Sequence, residues 1–457
     1  MEEQSSAVHI QALYPADVIL PSFCWLTSAL SYKFSFSFGR TVGQFPTCIK
    51  PRSLAATVKT ENLIKTTIDI LQLNNSKMEQ TRRDLLKTIT ALTGGLMFPF
   101  GGQSQIVGQN KLPIFNGDPI DLSEIINLFD FEKMAEGKMT KMAYEYVASG
   151  AADEFTVRWN RQALDAIKLN PNVLNDVSKL DTTVTLFGHK LAYPILVAPT
   201  AFHKIMHPEG ELATAKGAGK AKAIYVVSSF TTTPLEEIKK VASEPLWFQL
   251  YVRDDKEFTK NLVQKAEALG CRALCITVDT PVAGARDRQE RVKFKLPDGI
   301  NAPYRIGASL SITWKEMEWL ISFAKIPVLL KGILNPDDAE KAIKIGASGI
   351  IVSNHSGRNL DTVPATIEVL PRIVERVNKR IPILMDGGIR RGTDVLKAIA
   401  LGANAVLVGK PICFGLASGG AEGVTKTLEI LRAEFEMAMA LTGRATIASI
   451  DQALIWK

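Results

Sequence analysis

Apolar residues gather in eight short runs between residues 195 and 410: ILVAPT (195–200), AIYVVSS (223–229), LWFQLYV (246–252), ALCITVD (273–279), PVLLKG (327–332), GIIVSN (349–354), PILMDG (382–387) and AVLVGK (405–410). Each is nearly continuous rather than alternating, which predicts strands covered on both faces, as in a parallel sheet. Most are preceded by a charged, amphipathic stretch of helical period that ends near glycine, such as DDKEFTKNLVQKAEALG, NPDDAEKAIKIGA and RRGTDVLKAIALGA. Strand alternating with helix predicts βα units, and eight of them close into a (β/α)8 barrel of the α/β class. A doubly wound open sheet is the competing arrangement, and the absence of an early G-x-G-x-x-G weighs against it.

The gap between the fourth and fifth runs is longer than the others. Its excess, from Pro281 to about Ser311, is rich in glycine, proline and charge, which marks a candidate lid at the C-terminal rim of the barrel. Barrel chemistry sits on that rim. The runs end there in Pro199-Thr200-Ala201, Ser228, Gln249 with Tyr251, Thr277 with Asp279, Lys331, Ser353-Asn354-His355, Asp386-Gly387-Gly388 and Gly409-Lys410. Strand alternation puts Gln249 and Tyr251 on one face, and likewise Thr277 and Asp279. Glycines followed by cations after the last two strands, Asp386-Gly387-Gly388-Ile389-Arg390 and Gly409-Lys410, predict a phosphate site.

Composition narrows the class. The chain has 457 residues, 46% hydrophobic and 22% charged, enough to bury a core and unlike a disordered or fibrous chain. Five cysteines are too few and too scattered for a disulfide scaffold and read as inert core thiols. The formal net charge is +7 without a long basic run, which argues against a nucleic-acid partner. No metal site is expected.

Residues 1–77 carry no sustained period and are left unassigned. Residues 78–110 differ: Thr81-Arg82-Arg83-Asp84-Leu85-Leu86-Lys87 resembles a twin-arginine export signal, with a mostly apolar stretch from Thr88 to Phe100 behind it. That reading predicts a periplasmic protein starting at Met78; without it the protein would be cytoplasmic. Residues 111–457 form the barrel domain.

Four segments together carry a family resemblance: Ser353-Asn354-His355-Ser356-Gly357-Arg358 with Leu360-Asp361, Asp386-Gly387-Gly388-Ile389-Arg390-Arg391-Gly392, Pro199-Thr200-Ala201, and Pro208-Glu209-Gly210-Glu211. From about residue 120 to its end the chain resembles the FMN-dependent 2-hydroxy acid oxidases and dehydrogenases, such as glycolate and lactate oxidase. The resemblance implies FMN against Pro199, Thr200, Ala201, Ser228, Gln249, Thr277, Lys331 and Ser353. It implies the FMN phosphate against Asp386, Gly387, Gly388, Ile389, Arg390, Gly409 and Lys410. It implies substrate contacts at Tyr146, Tyr251, Arg286 and Arg358, with His355 as catalytic base and Asp279 as its orienting carboxylate. His189, His203 and His207 read as surface or structural, with His203 near the cavity rim.

The residue types suit that chemistry. Guanidinium binds a carboxylate in bidentate fashion, and imidazole titrates near neutrality. The implied reaction converts a small L-2-hydroxy acid, of lactate or glycolate type, to the 2-oxo acid, with electrons passed to O2 or a quinone-type acceptor. A tetramer is also implied. Alternatives are a related FMN barrel enzyme with another substrate and a non-catalytic flavin-binding protein. The chain departs from the family pattern at Ser356, usually glycine, and at Lys410, usually arginine; its lid is also shorter than in glycolate oxidase.

Overall fold

A computed structural model describes residues 121–457 except 305, 306 and 308. The unassigned extension (1–77), the export-signal segment (78–110) and residues 111–120 of the barrel domain lie outside the described residues.

Among the described residues ten strands follow in chain order. Strands β1 (Val184–Leu186) and β2 (His189–Leu191) pair as an antiparallel hairpin. Strands β3 (Ile195–Val197), β4 (Tyr225–Ser228), β5 (Leu246–Leu250), β6 (Leu274–Thr277), β7 (Val328–Ile333), β8 (Gly349–Val352), β9 (Ile383–Met385) and β10 (Ala405–Val408) pair in parallel with their chain neighbours, and β10 closes on β3. The predicted (β/α)8 barrel is therefore present. Each apolar run holds one barrel strand to within a few residues at its ends. The three amphipathic stretches are helices Lys256–Ala268, Pro336–Lys344 and Gly392–Ala400. Caps fix their starts: Asp255 accepts from the Phe258 N–H, and Asn335 from the Asp337 N–H ahead of a first-turn proline.

The barrel interior is filled by side chains at alternate positions. Leu196, Val226, Trp247, Cys275, Leu329, Ile351, Leu384 and Leu407 form one enclosed apolar cluster, which includes Leu186 and Leu191 of the hairpin. Two residues further along, the same inward face carries Ser228, Gln249, Thr277, Lys331, Ser353, Asp386 and Gly409. The interior thus passes from apolar packing at one end to polar groups at the other.

Helix Phe155–Ala166 packs beside the turn after β8. A Cβ on Gly357, whose φ is +70°, would lie 2.7 Å from Val157 Cγ2 and 2.8 Å from the Val157 nitrogen, so only glycine lets the two segments meet. The helix has no side-chain cap of its own. Asp361 supplies one from across the chain, accepting from the Phe155 and Thr156 N–H groups at 3.2 and 2.8 Å. Burial opposes ionisation of Asp361, but these N–H donors outweigh it and hold its carboxyl below the ordinary range.

Asp361→Ala should lower unfolding free energy by about 1–2 kcal/mol, the scale of a lost cap in a buried setting. Because the folded carboxyl titrates below its ordinary 3.8, this contribution is present above that pH and disappears as acid protonates the folded form. Urea unfolding of both proteins at pH 7 and in acid checks it; equal midpoints at pH 7 would contradict the cap.

Candidate active site

A cavity of about 390 Å³ opens at the polar end of the barrel. Of the residues singled out from sequence, Tyr146, Pro199, Thr200, Ala201, Ser228, Gln249, Tyr251, Thr277, Arg286, Lys331, His355, Arg358, Asp386, Gly387, Gly388, Ile389, Arg390, Gly409 and Lys410 line it. Asp279 and Ser353 do not. They stand one layer behind the wall and act on residues that do line it. Ser353 Oγ accepts from Lys331 Nζ at 2.9 Å and from the His355 N–H at 3.1 Å.

His355 Nδ1 lies 2.9 Å from Asp279 Oδ1. The pairing makes Nδ1 the protonated nitrogen and leaves Nε2 with its lone pair. Asp279 is itself fixed by Thr280 Oγ1 at 2.9 Å and by Asn359 Nδ2 at 3.1 Å. The backbone of β7 yields to it, since Gly332, at φ +113°, would bring a Cβ within 2.5 Å of the Asp279 Cβ. Burial lowers the His355 pKa, Asp279 raises it, and burial prevails, so the ring is neutral at neutral pH. Asp279 shows the reverse balance: burial favours its neutral form, but His355 and Lys331 keep it ionised.

The turn that carries His355 is unusual. His355, Ser356 and Gly357 all have positive φ, at 56°, 56° and 70°. Ser356 thus occupies a position that favours glycine, at a cost of about 1–2 kcal/mol. The turn is held by Asn354, which forms a reciprocal amide pair with Asn160 at 2.9 and 2.8 Å and accepts from the Gly357 N–H at 3.2 Å.

Lys331 bridges Ser353 and Asp386, whose Oδ2 is 3.2 Å from Nζ. Burial disfavours its charge, but Asp386 and Asp279 raise its pKa, so it stays cationic. Beside it, Gln249 accepts from Ser228 Oγ at 3.2 Å and donates to Thr277 Oγ1 at 2.9 Å. Asp386 Oδ1 is buried with no partner among the described residues.

Positive charge accumulates elsewhere on the wall. Arg358 donates to the carbonyls of Tyr146 and Ser149, at 2.6 and 3.1 Å, and lies 5.0 Å over the Tyr146 ring. Lys410 donates to the carbonyl of Ala148 at 2.7 Å, and Arg286 to that of Arg358 at 3.3 Å. Among the described residues none of these three cations forms an ion pair. Arg390 reaches Glu132 at 3.7 Å. Burial, then Arg358 and Arg390, push Lys410 down to about 7, and burial with Arg286 brings Arg358 to about 10. Such values mark a wall built to receive anions.

The same region fits FMN. Gly387 and Gly388, at φ of +101° and +78°, line the cavity, and a Cβ on Gly388 would lie 2.4 Å from the Asn160 carbonyl oxygen, so only glycine lets this loop pack so closely on helix Phe155–Ala166. Gly409 caps helix Lys410–Leu441, which presents its N-terminus to the cavity. With Arg390 and Lys410 this set suits a phosphate. Ser228, Gln249, Thr277 and Lys331 offer the donors and acceptors that a flavin ring edge requires.

Several site features had not been read from sequence. Phe294 stacks on Tyr146 (4.5 Å, 20°), Tyr146 meets Phe202 (5.6 Å), Phe202 meets Phe230 (5.7 Å), and Phe230 meets Tyr251 (5.4 Å). Phe230 follows the polar end of β4 directly, a signal that was available; Phe202 and Phe294 gave none beyond their neighbours. The long 281–311 loop contributes Ala283, Arg286, Gln289 and Phe294 to the wall. Cys413, read as a core thiol, also lines the cavity, and burial pushes it up to about 11, so it stays protonated. His203 is neither at the surface nor on the cavity rim: it is fully buried, because Thr200, Thr214 and Tyr225 close around it.

Comparison with known proteins agrees with this geometry. The family model for FMN-dependent dehydrogenases matches residues 135–457. An L-lactate oxidase from Nostoc sp. is 43% identical over 360 residues, covering 73% of this chain and 99% of the relative. Glycolate oxidase 3 of Arabidopsis thaliana is 43% identical over 350 residues, covering 72% and 95%. A solved structure of mandelate oxidase with (S)-2-phenylpropionate is 40% identical with a TM-score of 0.70, covering 72% of this chain and 98% of that one. The chain belongs to the FMN-dependent dehydrogenase family.

Proposed function

We propose that this protein oxidises a small L-2-hydroxy acid, of lactate or glycolate type, to the 2-oxo acid, with O2 as electron acceptor. The observation that carries the reading is the His355–Asp279 pair at 2.9 Å, beside a cavity in which Arg286 and Arg358 make no ion pair among the described residues. The substrate classes come from relatives named lactate, glycolate and 2-hydroxyacid oxidases.

Bound FMN supplies a two-electron acceptor. Arg286 and Arg358 bind the substrate carboxylate, which removes the repulsion between them. Burial raises the hydroxyls of Tyr146 and Tyr251, the latter to about 12, so both remain donors to substrate oxygen. The aromatic chain from Phe294 to Tyr251 excludes water there. His355 Nε2 takes the substrate proton, and the adjacent Asp279 carboxylate stabilises the imidazolium that results. Lys331, cationic and held between Ser353 and Asp386, offers a fixed positive charge to the flavin. A quinone-type acceptor and a homo-tetramer belong to the same proposal, supported by the resemblance alone. Export is proposed on Arg82-Arg83 and the apolar stretch behind them.

Anaerobic addition of lactate or glycolate should bleach the bound flavin; a flavin that neither acid reduces contradicts the reading. His355→Ala should keep the flavin and slow its reduction at least ~100-fold, and near-normal reduction would remove His355 from the base role.

The acid limb of kcat/KM should rise with pH as His355 loses its proton, with a midpoint below the ordinary 6.5. Asp279→Asn removes the attraction that raises this pKa. The midpoint should therefore fall further, and kcat/KM should drop at least ~10-fold. A midpoint that stays put or rises, measured by stopped-flow flavin reduction, contradicts the coupling.

Arg358→Lys should lower kcat/KM for the acid by about 10-fold or more, because a point charge replaces a planar fork. Steady-state kinetics across a lactate series tests it, and an unchanged value would deny Arg358 the carboxylate.

A further inference from the structure

His203 is completely buried and forms no part of the cavity wall, yet it touches a residue that does. It opens the short turn His203–Ile205 that follows Pro199-Thr200-Ala201. Nε2 lies 2.6 Å from Thr200 Oγ1, and Nδ1 lies 2.8 Å from Thr214 Oγ1. The ring runs nearly parallel to that of Tyr225, with centroids 5.9 Å apart and planes 22° apart.

The backbone is held as firmly as the ring. The His203 N–H donates to Glu211 Oε1 at 3.0 Å. The buried Glu211 carboxylate also accepts from the Thr232 N–H at 2.8 Å and from the Thr232 and Thr233 hydroxyls at 2.6 and 2.9 Å. Imidazole position and orientation are therefore fixed by contacts on every side. Burial lowers the His203 pKa, which keeps the ring neutral, with one N–H and one lone pair.

Thr200 itself lines the cavity, and Cys413, also on the wall, is a second partner of its hydroxyl. The Thr200 hydroxyl is thus held from behind by a buried ring that never reaches the cavity.

We infer that His203 is a positioning residue that fixes the Thr200 hydroxyl at the FMN-binding wall, acting through Thr200 without touching FMN or substrate. The inference rests on the placement of FMN against Thr200. A hydroxyl held in place by a neutral, packed imidazole needs no reorganisation when FMN enters.

Two amide substitutions separate this role from mere packing. Asn can reproduce the Nδ1 contact to Thr214 but cannot reach Thr200. Gln can place its amide oxygen near the Nε2 position. The dissociation constant of FMN from each apoprotein, read by quenching of FMN fluorescence, is the measurement; circular dichroism confirms folding. His203→Asn should raise the constant about 10-fold, while His203→Gln stays within about 3-fold of the unmodified protein. In a Thr200→Val background the His203→Asn penalty should shrink to under about 2-fold, because the hydroxyl it acts through is gone.

Equal penalties for Asn and Gln would overturn the inference, as would an Asn penalty undiminished by Thr200→Val. If His203→Asn fails to fold, the Gln variant alone decides: a penalty of about 10-fold overturns it. An unmodified apoprotein that binds no FMN overturns the placement of FMN itself. Thr200→Val without effect on binding denies Thr200 its contact.

Discussion

Alternation along eight parallel strands is the constraint on which the rest of the molecule depends. Trp247, Gln249 and Tyr251 share one face of β5 and its extension, as Cys275, Thr277 and Asp279 share one face at β6. The apolar member of each set packs the barrel interior, and the polar members emerge two and four residues later at the rim. A slip of one residue would bury Phe248 or Ile276 where Gln249 or Thr277 now stands and would empty the site of its chemistry. The polar members are tolerated at this depth because they satisfy one another: Ser228 with Gln249, Gln249 with Thr277, and Lys331 with Ser353 and Asp386.

Above this layer the balance changes from satisfied to unsatisfied. Arg358 and Lys410 donate to backbone carbonyls, and burial depresses both. Such an arrangement costs stability until an anion arrives. Two anions fit the proposal: a phosphate beside Gly388, Arg390 and Lys410, and a substrate carboxylate beside Arg286 and Arg358. His355 sits among these groups on a left-handed turn whose strain is maintained by Asn354, Asn160 and the tight approach of Gly357.

Much of this was legible in the sequence because strand and chemistry share a signature. All but the β8 run end in polar or small residues that line the cavity, and the glycine pair after β9 announced a close backbone approach. Other features had no local signal. The β1–β2 hairpin has three-residue strands, too short for any period. Asp361 caps a helix 205 positions away. The burial of His203 follows from Thr214 and Tyr225, which no nearby pattern announces, and Phe202 and Phe294 resemble ordinary core residues until the cavity is seen. Asp279 and Ser353 end their strand runs as the other rim residues do, and sequence alone could not place them behind the cavity wall.

The central claim is that buried cations make this cavity a receptor for the phosphate of a flavin. Competitive titration of apoprotein with FMN and with riboflavin, which has the ring but no phosphate, tests it most directly. The account predicts stoichiometric FMN binding at least ~100-fold tighter than riboflavin, a gap that narrows as salt is added. Equal affinity for the two flavins, or no binding of either, would contradict it.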